Sequence, residues 1–205
     1  MKILIATGNA HKLSEIRDIL SDSRVELLGA NDLGLSLEVE ENGSTFAENA
    51  ALKARAFFDA ARLPVLADDS GLEVPALNNA PGVYSARYAG EHANYARNNA
   101  YLLEQMRGLT GEERKARFVC TVCFKTEEKE WFFTGITEGY ILDRLQGEQG
   151  FGYDPLFYVP ELGRTYAQLS SDEKNRISHR GKALKKFKIF LQEYLKKIDI
   201  NEKSS

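Results

Sequence analysis

Apolar runs alternate with amphipathic stretches at the start of this chain of 205 residues. Lys2 to Ala6 is almost wholly apolar, which predicts a buried strand. A polar turn at residues 7–9 follows, and residues 10–20 then carry apolar side chains at helical spacing. A second short strand is predicted at 25–28. This order of strand, turn, helix and strand is typical of α/β proteins.

A capping box predicts the start of the next helix. The Thr45 side chain can accept a hydrogen bond from the amide of Glu48, whose carboxylate can reach back to the Thr45 amide. The helix is predicted to run to Arg62, because Pro64 stops it. A strand over 65–67 is then predicted to end at the polar sequence of residues 68–71.

The rest of the chain predicts further elements of both kinds. A loop is expected over 78–90, a helix over 92–107, and two strands over 117–125 and 130–140 that form a hairpin. A glycine-rich loop follows at 147–155, then a final helix over 182–198 and a frayed polar tail over 201–205. The sequence therefore predicts an α/β fold: a mixed β-sheet flanked by helices, one domain over 1–205 with two lobes and a cleft.

Charge and hydropathy exclude several functional classes. The net charge of −3 argues against a protein that coats nucleic acid, since that requires a surplus of basic residues. No run approaches the roughly 20 apolar residues that span a bilayer, and the first apolar run is too short for a secretory signal. We therefore expect a cytoplasmic protein without a membrane or nucleic-acid partner.

Two cysteines, Cys120 and Cys123, stand at C-x-x-C spacing within a predicted strand. Residues three apart on a strand point to opposite faces, and no second Cys/His pair stands at zinc spacing. We therefore expect two reduced core thiols rather than a metal or redox pair.

The acidic pair Asp68-Asp69 is the strongest candidate for chemistry. It follows an apolar strand, where burial of unpaired carboxylates would be costly, and a bound divalent cation would remove that cost. Carboxylate oxygens beside phosphates favour Mg²⁺. Because the two side chains point opposite ways in an extended chain, we expect one of them to bind the metal directly. An ordinary surface turn is the alternative.

Two basic segments are candidates for binding phosphate. The turn Thr7-Gly8-Asn9 leads into a helix, whose N-terminus attracts anions, and Lys12 adds a charge there. Asn49 and Lys53, four residues apart, share one helical face. Each has a plain alternative, an ordinary polar turn and a solvated helix face.

Two later segments are candidates for binding a base. The glycine-rich loop can present Phe151 or Tyr153 to a flat ring, although a packed aromatic corner would look the same. The sequence Ser178-His179-Arg180 at the start of the last helix, with Lys174 upstream, gathers donors that suit a phosphate or a carbonyl oxygen.

Taken in order, these segments resemble the family of non-canonical purine nucleoside triphosphate pyrophosphatases, also called XTP/dITP diphosphatases or inosine triphosphate pyrophosphatases. The resemblance rests on the turn at 7–12, the helix at 45–54, the acidic strand at 67–72, the segment at 81–88, the aromatic loop at 151–155 and the helix start at 178–182. It implies an elongated mixed sheet, a homodimer, a Mg²⁺ cofactor, and hydrolysis of ITP, dITP and XTP to the monophosphate and pyrophosphate.

The resemblance also implies roles for individual residues. Asp69 matches the catalytic proton acceptor and metal ligand, Glu41 matches a second metal ligand, and Asp68 is expected to assist the metal. The expected substrate contacts are Thr7, Gly8, Asn9, Ala10, His11, Lys12, Lys53, Ser70, Phe151, Gly152, Tyr153, Asp154, Lys174, His179 and Arg180.

Two other functions stay open at this point. A Maf-type pyrophosphatase would prefer modified or pyrimidine nucleotides. A nucleotide-binding regulator would bind the same ligands without releasing pyrophosphate.

Overall fold

The computed structural model describes residues 1–21, 24–90 and 94–203. Within these residues the strands are β1 Lys2–Ile5, β2 Glu26–Gly29, β3 Val65–Val74, β4 Ala80–Pro81, β5 Lys115–Lys125, β6 Glu130–Ile141, β7 Phe157–Val159 and β8 Arg164–Thr165. The α-helices are α1 Ala10–Ile19, α2 Phe46–Ala61, α3 Tyr95–Gln105, α4 Ser171–Ile177 and α5 His179–Lys203. None of the described helices is both long and apolar enough to cross a membrane.

All eight described strands belong to one mixed sheet. Its order is β2-β1-β3-β5-β6-β7-β8, and β4 pairs with β3 beside this path. β1 runs parallel to β2 and β3, whereas the remaining neighbours are antiparallel. The mixed sheet and the hairpin of β5 and β6 confirm the prediction from sequence.

Apolar residues collect at two ends of β3, and this produces two lobes. At its first end, Leu66 packs with α1 and α5, while Val65 packs with α2 on the opposite face of the sheet. At its other end, Leu72 and Val74 join a separate core with α3 and the segment around β7. The polar residues 68–71 lie between these cores, so the middle of β3 forms the floor of a cleft.

β3 is longer than the sequence predicts, because the acidic residues do not end it. The strand continues through Asp68 and Asp69, which stand opposite Val122 and Thr121 of β5. The carboxylates keep their place in the strand because each has a cationic partner. Gly71 permits a close crossing here, since a Cβ would collide with the Gly82 carbonyl.

Helices α3 and α5 begin and end at other residues than the sequence predicts. α5 begins at His179 rather than residue 182 and continues to Lys203, past the predicted start of the frayed tail. α3 spans Tyr95–Gln105 rather than 92–107. Residues 91–93, 204 and 205, and with them His92, lie outside the described residues.

The exposed edge of β6 is covered by lysines of α5. Lys182 Nζ donates to the Ile136 carbonyl at 2.9 Å, and Lys186 Nζ donates to the Thr134 carbonyl at 2.6 Å. These bonds occupy backbone acceptors that would otherwise be open to pairing with another strand.

The two cysteines are buried thiols in different cores. Cys120 lies with the residues that pack under α5, and Cys123 lies with those under α2. Burial raises the pKa of the Cys123 thiol to about 12, and it raises the pKa of Cys120 as well. Both thiols are free, which agrees with the expectation of core cysteines.

Candidate active site

A cavity of about 580 Å³ occupies the cleft between the two lobes. That volume is typical of sites for small-molecule ligands. Among the described residues, Ala10, His11 and Asp68 of the predicted set do not line it. The predicted residues that line it are Thr7, Gly8, Asn9, Lys12, Glu41, Lys53, Asp69, Ser70, Phe151, Gly152, Tyr153, Asp154, Lys174, His179 and Arg180.

The turn at residues 7–12 is held by its own side chains. Asn9 is the N-cap of α1, and its Oδ1 accepts from the amides of His11 at 2.9 Å and Lys12 at 3.3 Å. The Asn9 amide donates to Thr7 Oγ1 at 3.2 Å. The cap therefore uses the amides of His11 and Lys12 inside the protein, as an N-cap residue normally does.

Asp69 lies in the middle of β3 with its carboxylate toward α2. Its Oδ2 accepts from Asn49 Nδ2 at 3.1 Å, and its Oδ1 lies 3.5 Å from Lys53 Nζ. Burial raises the pKa of Asp69 above its usual value, and the charges of Lys53 and Lys12 oppose this rise only in part. The site thus holds a partly desolvated carboxylate with one oxygen fixed by an amide.

Asp68 points to the other face of β3. Its Oδ2 lies 3.1 Å from Lys12 Nζ and accepts from Arg180 Nη2 at 3.1 Å. Burial alone would raise the pKa of Asp68, but the charges of Lys12 and Arg180 outweigh it and hold the pKa well below its usual range. The opposite orientation of Asp68 and Asp69 is as predicted, and it separates Asp68 from the expected metal site.

Two carboxylates converge on one ammonium group at the α2 side of the cleft. Glu41 Oε2 lies 3.0 Å from Lys53 Nζ, and Asp69 Oδ1 lies 3.5 Å from the same atom. The backbone carbonyl of Glu41 accepts from Arg87 at 3.2 Å, which fixes the loop that carries it.

These residues fit a magnesium ion. No group of three or more His, Cys, Asp or Glu side chains within the described residues is placed to hold a metal. Mg²⁺ is commonly bound by one or two carboxylates together with water and substrate phosphates, and Glu41 and Asp69 supply that pair. Asp68 Oδ2 contacts Lys12 and Arg180 on the opposite face, and the expected assistance of Asp68 to the metal stays a prediction.

Aromatic rings form the other end of the cleft. Phe151 stacks on His11 with ring centroids 5.3 Å apart and planes inclined by 14°. The Tyr153 ring is buried in the second core and its hydroxyl donates to the Ser85 carbonyl at 2.9 Å. Of the two aromatic residues in the loop, Phe151 is the less buried, and its ring already contacts the His11 ring and the Lys174 ammonium, which lies 4.6 Å from the ring centroid.

A charged network lies beneath Phe151. Asp154 Oδ2 accepts from Lys174 Nζ at 2.6 Å and from the Phe151 amide at 2.9 Å. Lys174 also donates to Glu15 at 2.9 Å, and Glu15 accepts from Arg180. Burial would raise the pKa of Glu15, but the charges of Arg180 and Lys174 lower it.

Sequence reasoning did not identify Glu15 as part of this network. The signal was available, because Glu15 stands three residues after Lys12 on the same face of α1. The guanidinium of Arg180 is 1% exposed and also donates to Ser70 Oγ at 2.8 Å. Most of its donors are thus already used inside the protein.

His179 is buried and neutral. Its ring stacks on Phe118 with centroids 4.6 Å apart and planes inclined by 9°. Burial lowers its pKa well below the usual value, and the charges of Arg180 and Lys174 lower it further. Its Nδ1 has no hydrogen-bond partner among the described residues. A neutral imidazole offers one N–H donor, so His179 can bind a single acceptor.

Further residues that sequence reasoning did not single out also line the cleft. They include Tyr95 and Asn98 of α3, as well as Arg87. Tyr95 and Asn98 are three residues apart on a helix that the sequence predicts, but nothing in the chain indicates which elements this helix meets.

Known proteins match this chain over almost its whole length. A model of the Ham1 family matches residues 3–190, which include all residues that line the cleft. A Clostridium perfringens protein named dITP/XTP pyrophosphatase is 48% identical over 95% of this chain and 99% of its own length. A Thermus thermophilus protein of the same name is 52% identical over 90% of this chain and 89% of its own. The solved Staphylococcus aureus Ham1 protein matches with a TM-score of 0.86 at 43% identity, covering 95% of this chain and all of that chain.

Proposed function

Because this chain belongs to the Ham1 family, we propose that it hydrolyses non-canonical purine nucleoside triphosphates to the monophosphate and pyrophosphate. The substrates are dITP, XTP and ITP. The names of its relatives support this activity and favour it over that of a Maf-type pyrophosphatase. The observation that carries the proposal is a single cleft with Asp69, Lys53 and Glu41 at one end and Phe151 and His179 at the other.

The charge of the cleft supports a requirement for Mg²⁺. The cations and carboxylates at and beside the cleft are equal in number, so together these groups offer a triphosphate no net positive charge. The groups concerned are the cations Lys12, Lys53, Arg87, Lys174 and Arg180 and the carboxylates Glu15, Glu41, Asp68, Asp69 and Asp154. Glu41 and Asp69 would hold the magnesium ion, which would supply charge neutralisation for the phosphate oxygens and so leave the phosphorus more open to attack by water.

Asp69 is suited to accept the proton of the attacking water. Asn49 holds one carboxylate oxygen, which leaves the other oxygen directed into the cleft beside Lys53. Partial desolvation makes this carboxylate more basic than an exposed aspartate. Lys53 and Lys12 both line the cleft, where their charges would act on the phosphates of a bound substrate.

Selection of the base follows from hydrogen-bond polarity. Hypoxanthine and xanthine carry a carbonyl oxygen at the six position, where adenine carries an amino group. A donor from His179 or from the backbone of the loop at 151–154 would bind the carbonyl and leave the amino group of adenine without an acceptor. A buried polar group without a partner costs about 1–3 kcal/mol, which disfavours ATP.

Pyrophosphate release from a panel of nucleotides tests the proposal. The panel contains ITP, dITP, XTP, GTP, ATP, dTTP and UTP, each measured with Mg²⁺ and with EDTA. We expect metal-dependent release from ITP, dITP and XTP and little from ATP. Release led by dTTP or UTP would assign the chain to the Maf-type activity, and no release at all would leave a nucleotide-binding protein.

The catalytic assignment is tested by Asp69→Asn, which keeps the shape of the side chain but removes its basicity. We expect turnover of ITP to fall by about 100-fold or more, which is typical for loss of a general base. Asp59→Asn is the control, since Asp59 is an exposed residue of α2. Near-normal turnover by a folded Asp69→Asn protein would refute the role of Asp69.

We further propose that the chain acts as one domain, as a homodimer and in the cytoplasm. The resemblance implies the dimer, and exposed Phe132 and Ile136 on β6 offer apolar area for such an interface. Light scattering on the purified protein would give twice the mass of the chain if the dimer forms.

A further inference from the structure

α3 turns one face toward the cleft and bonds to both of its walls. Tyr95, Asn98 and Asn99 stand at positions i, i+3 and i+4, so they share this face. Asn98 donates to the Ala86 carbonyl at 3.2 Å, and Asn99 donates to the Gly152 carbonyl at 2.9 Å. These two bonds fix α3 to the side of the cleft that carries Ala86 and Gly152. Tyr95 then reaches across the cleft to the turn before α1.

The hydroxyl of Tyr95 holds the side chain that caps α1. Asn9 Nδ2 donates to Tyr95 Oη at 3.4 Å, while Asn9 Oδ1 accepts from the amides of His11 and Lys12. A carboxamide has one accepting and one donating end. With its donating end bound to Tyr95, the Asn9 side chain is kept in the orientation that places its oxygen on the α1 amides.

The ring of Tyr95 also supports the aromatic end of the cleft. Its centroid lies 6.2 Å from that of Phe151, with planes inclined by 45°, and Phe151 stacks in turn on His11. The three rings come from α3, the loop at 151–154 and α1. They thus connect the two walls of the cleft where the phosphate turn and the aromatic loop approach each other.

We propose that Tyr95 is a positioning residue for the pyrophosphatase reaction. Through Asn9 it orients the turn that receives the triphosphate, and through Phe151 it orients the ring that stacks on the base. This inference rests on the proposed function, since it assigns Tyr95 a part in that same site.

Tyr95→Phe separates the two contacts, because it removes the hydroxyl and keeps the ring. We expect kcat/KM for ITP to fall by about 2- to 10-fold, which is the range for loss of one neutral hydrogen bond. The loss should lie mainly in KM and be equal for ITP and XTP, because the missing bond is on the phosphate side. Tyr101→Phe, the same change farther along α3, is the matched control. Tyr101 is 37% exposed, packs on Tyr88, and should leave kcat/KM unchanged.

Coupling to Asn9 distinguishes positioning from a general effect on the stability of α3. Asn9→Ser keeps an oxygen that can cap α1 but removes the donor that binds Tyr95. In the Asn9→Ser protein, Tyr95→Phe should therefore cause no further loss of kcat/KM. If Tyr95 only stabilised the helix, the same loss would appear in both backgrounds. Thermal unfolding followed by circular dichroism shows that each variant is folded.

The outcomes separate this inference from the proposed function. No pyrophosphate release by the wild-type protein would overturn the proposed function, and the role of Tyr95 with it. An active wild-type protein with an equally active Tyr95→Phe variant would overturn the role of Tyr95 alone. Equal losses from Tyr95→Phe with and without Asn9→Ser would also overturn it.

Discussion

His179 differs from the charged residues at its end of the cleft, because it is buried as a neutral side chain. Lys174, Arg180, Glu15 and Asp154 each have a partner of opposite sign. For His179, burial beside aromatic rings and the charges of Arg180 and Lys174 lower the pKa, and the carboxylate of Asp68 opposes this only in part. The imidazole can therefore stay neutral near pH 7 and donate one hydrogen bond through its N–H group.

This burial predicts how the free energy of unfolding depends on pH. In the unfolded chain His179 takes up a proton as the pH falls through about 6.5, whereas in the folded chain its pKa is well below that value. The unfolded state then binds one proton more, so stability falls as the pH is lowered, by about 1.4 kcal/mol per pH unit. Urea unfolding between pH 7 and 5 should show this slope in excess of that of His179→Gln. Equal slopes for the two proteins would contradict a buried neutral His179.

The residue types were predictable from the sequence, but their pairing was not. The period of a strand correctly places Asp68 and Asp69 on opposite faces. The sequence contains no signal that the guanidinium of Arg180 is used by Asp68, Glu15 and Ser70, because those residues come from different elements. Such pairing depends on tertiary packing rather than on local spacing.

At the scale of elements, the contact between β6 and α5 determines where His179 lies. Gly135 of β6 faces the first turn of α5, and a Cβ there would overlap the His179 carbonyl and approach the Ala183 amide and Lys182 Cβ. The absence of a side chain thus allows the helix backbone to rest directly on the strand. This close approach sets the depth at which His179 and Arg180 enter the cleft.

Gly135→Ala should therefore destabilise the protein and impair its activity. The added methyl meets backbone atoms, which cannot move aside cheaply, so we expect a loss of about 1–3 kcal/mol in the free energy of unfolding. Glu138→Ala, at an exposed position of the same strand, should change it by less than about 0.5 kcal/mol. Urea titration and kcat/KM for ITP would be measured on both variants. A Gly135→Ala protein with normal stability and activity would show that α5 can shift without affecting the site.

The elements themselves were well predicted where a local signal exists. The capping box of α2 is present as expected, with Thr45 Oγ1 accepting from Glu48 and Glu48 accepting from Thr45. The sequence predicts that β3 ends at residue 67, because the polar residues Asp68 and Asp69 are locally typical of a turn. Their cationic partners come from residues 12, 53 and 180, so no local pattern could show that the strand continues.

At the scale of the whole molecule, buried charges connect elements that are distant in sequence. Arg180 at the start of α5 joins Asp68 of β3 to Glu15 of α1. Lys174 of α4 extends the connection from Glu15 to Asp154 in the aromatic loop. The network therefore links the first lobe to the loop that carries Phe151. The same charges that prepare the cleft for a substrate thus hold its two walls together.

Removal of the central cation tests this role. Arg180→Met leaves the carboxylate of Asp68 buried with Lys12 as its remaining cationic contact, and loss of one partner from a buried pair costs about 3–5 kcal/mol. Arg164→Met makes the same change at an exposed pair with Glu173 and should cost less than about 1 kcal/mol. Adding Asp68→Asn to Arg180→Met should restore part of the loss, because it removes the uncompensated charge. Urea unfolding at pH 7 measures all of these proteins. Equal stability of Arg180→Met and the wild type would mean that the lobes are held together by their apolar contacts and that the charged network serves the ligand alone. No recovery in the double variant would mean that the loss does not come from the uncompensated charge of Asp68.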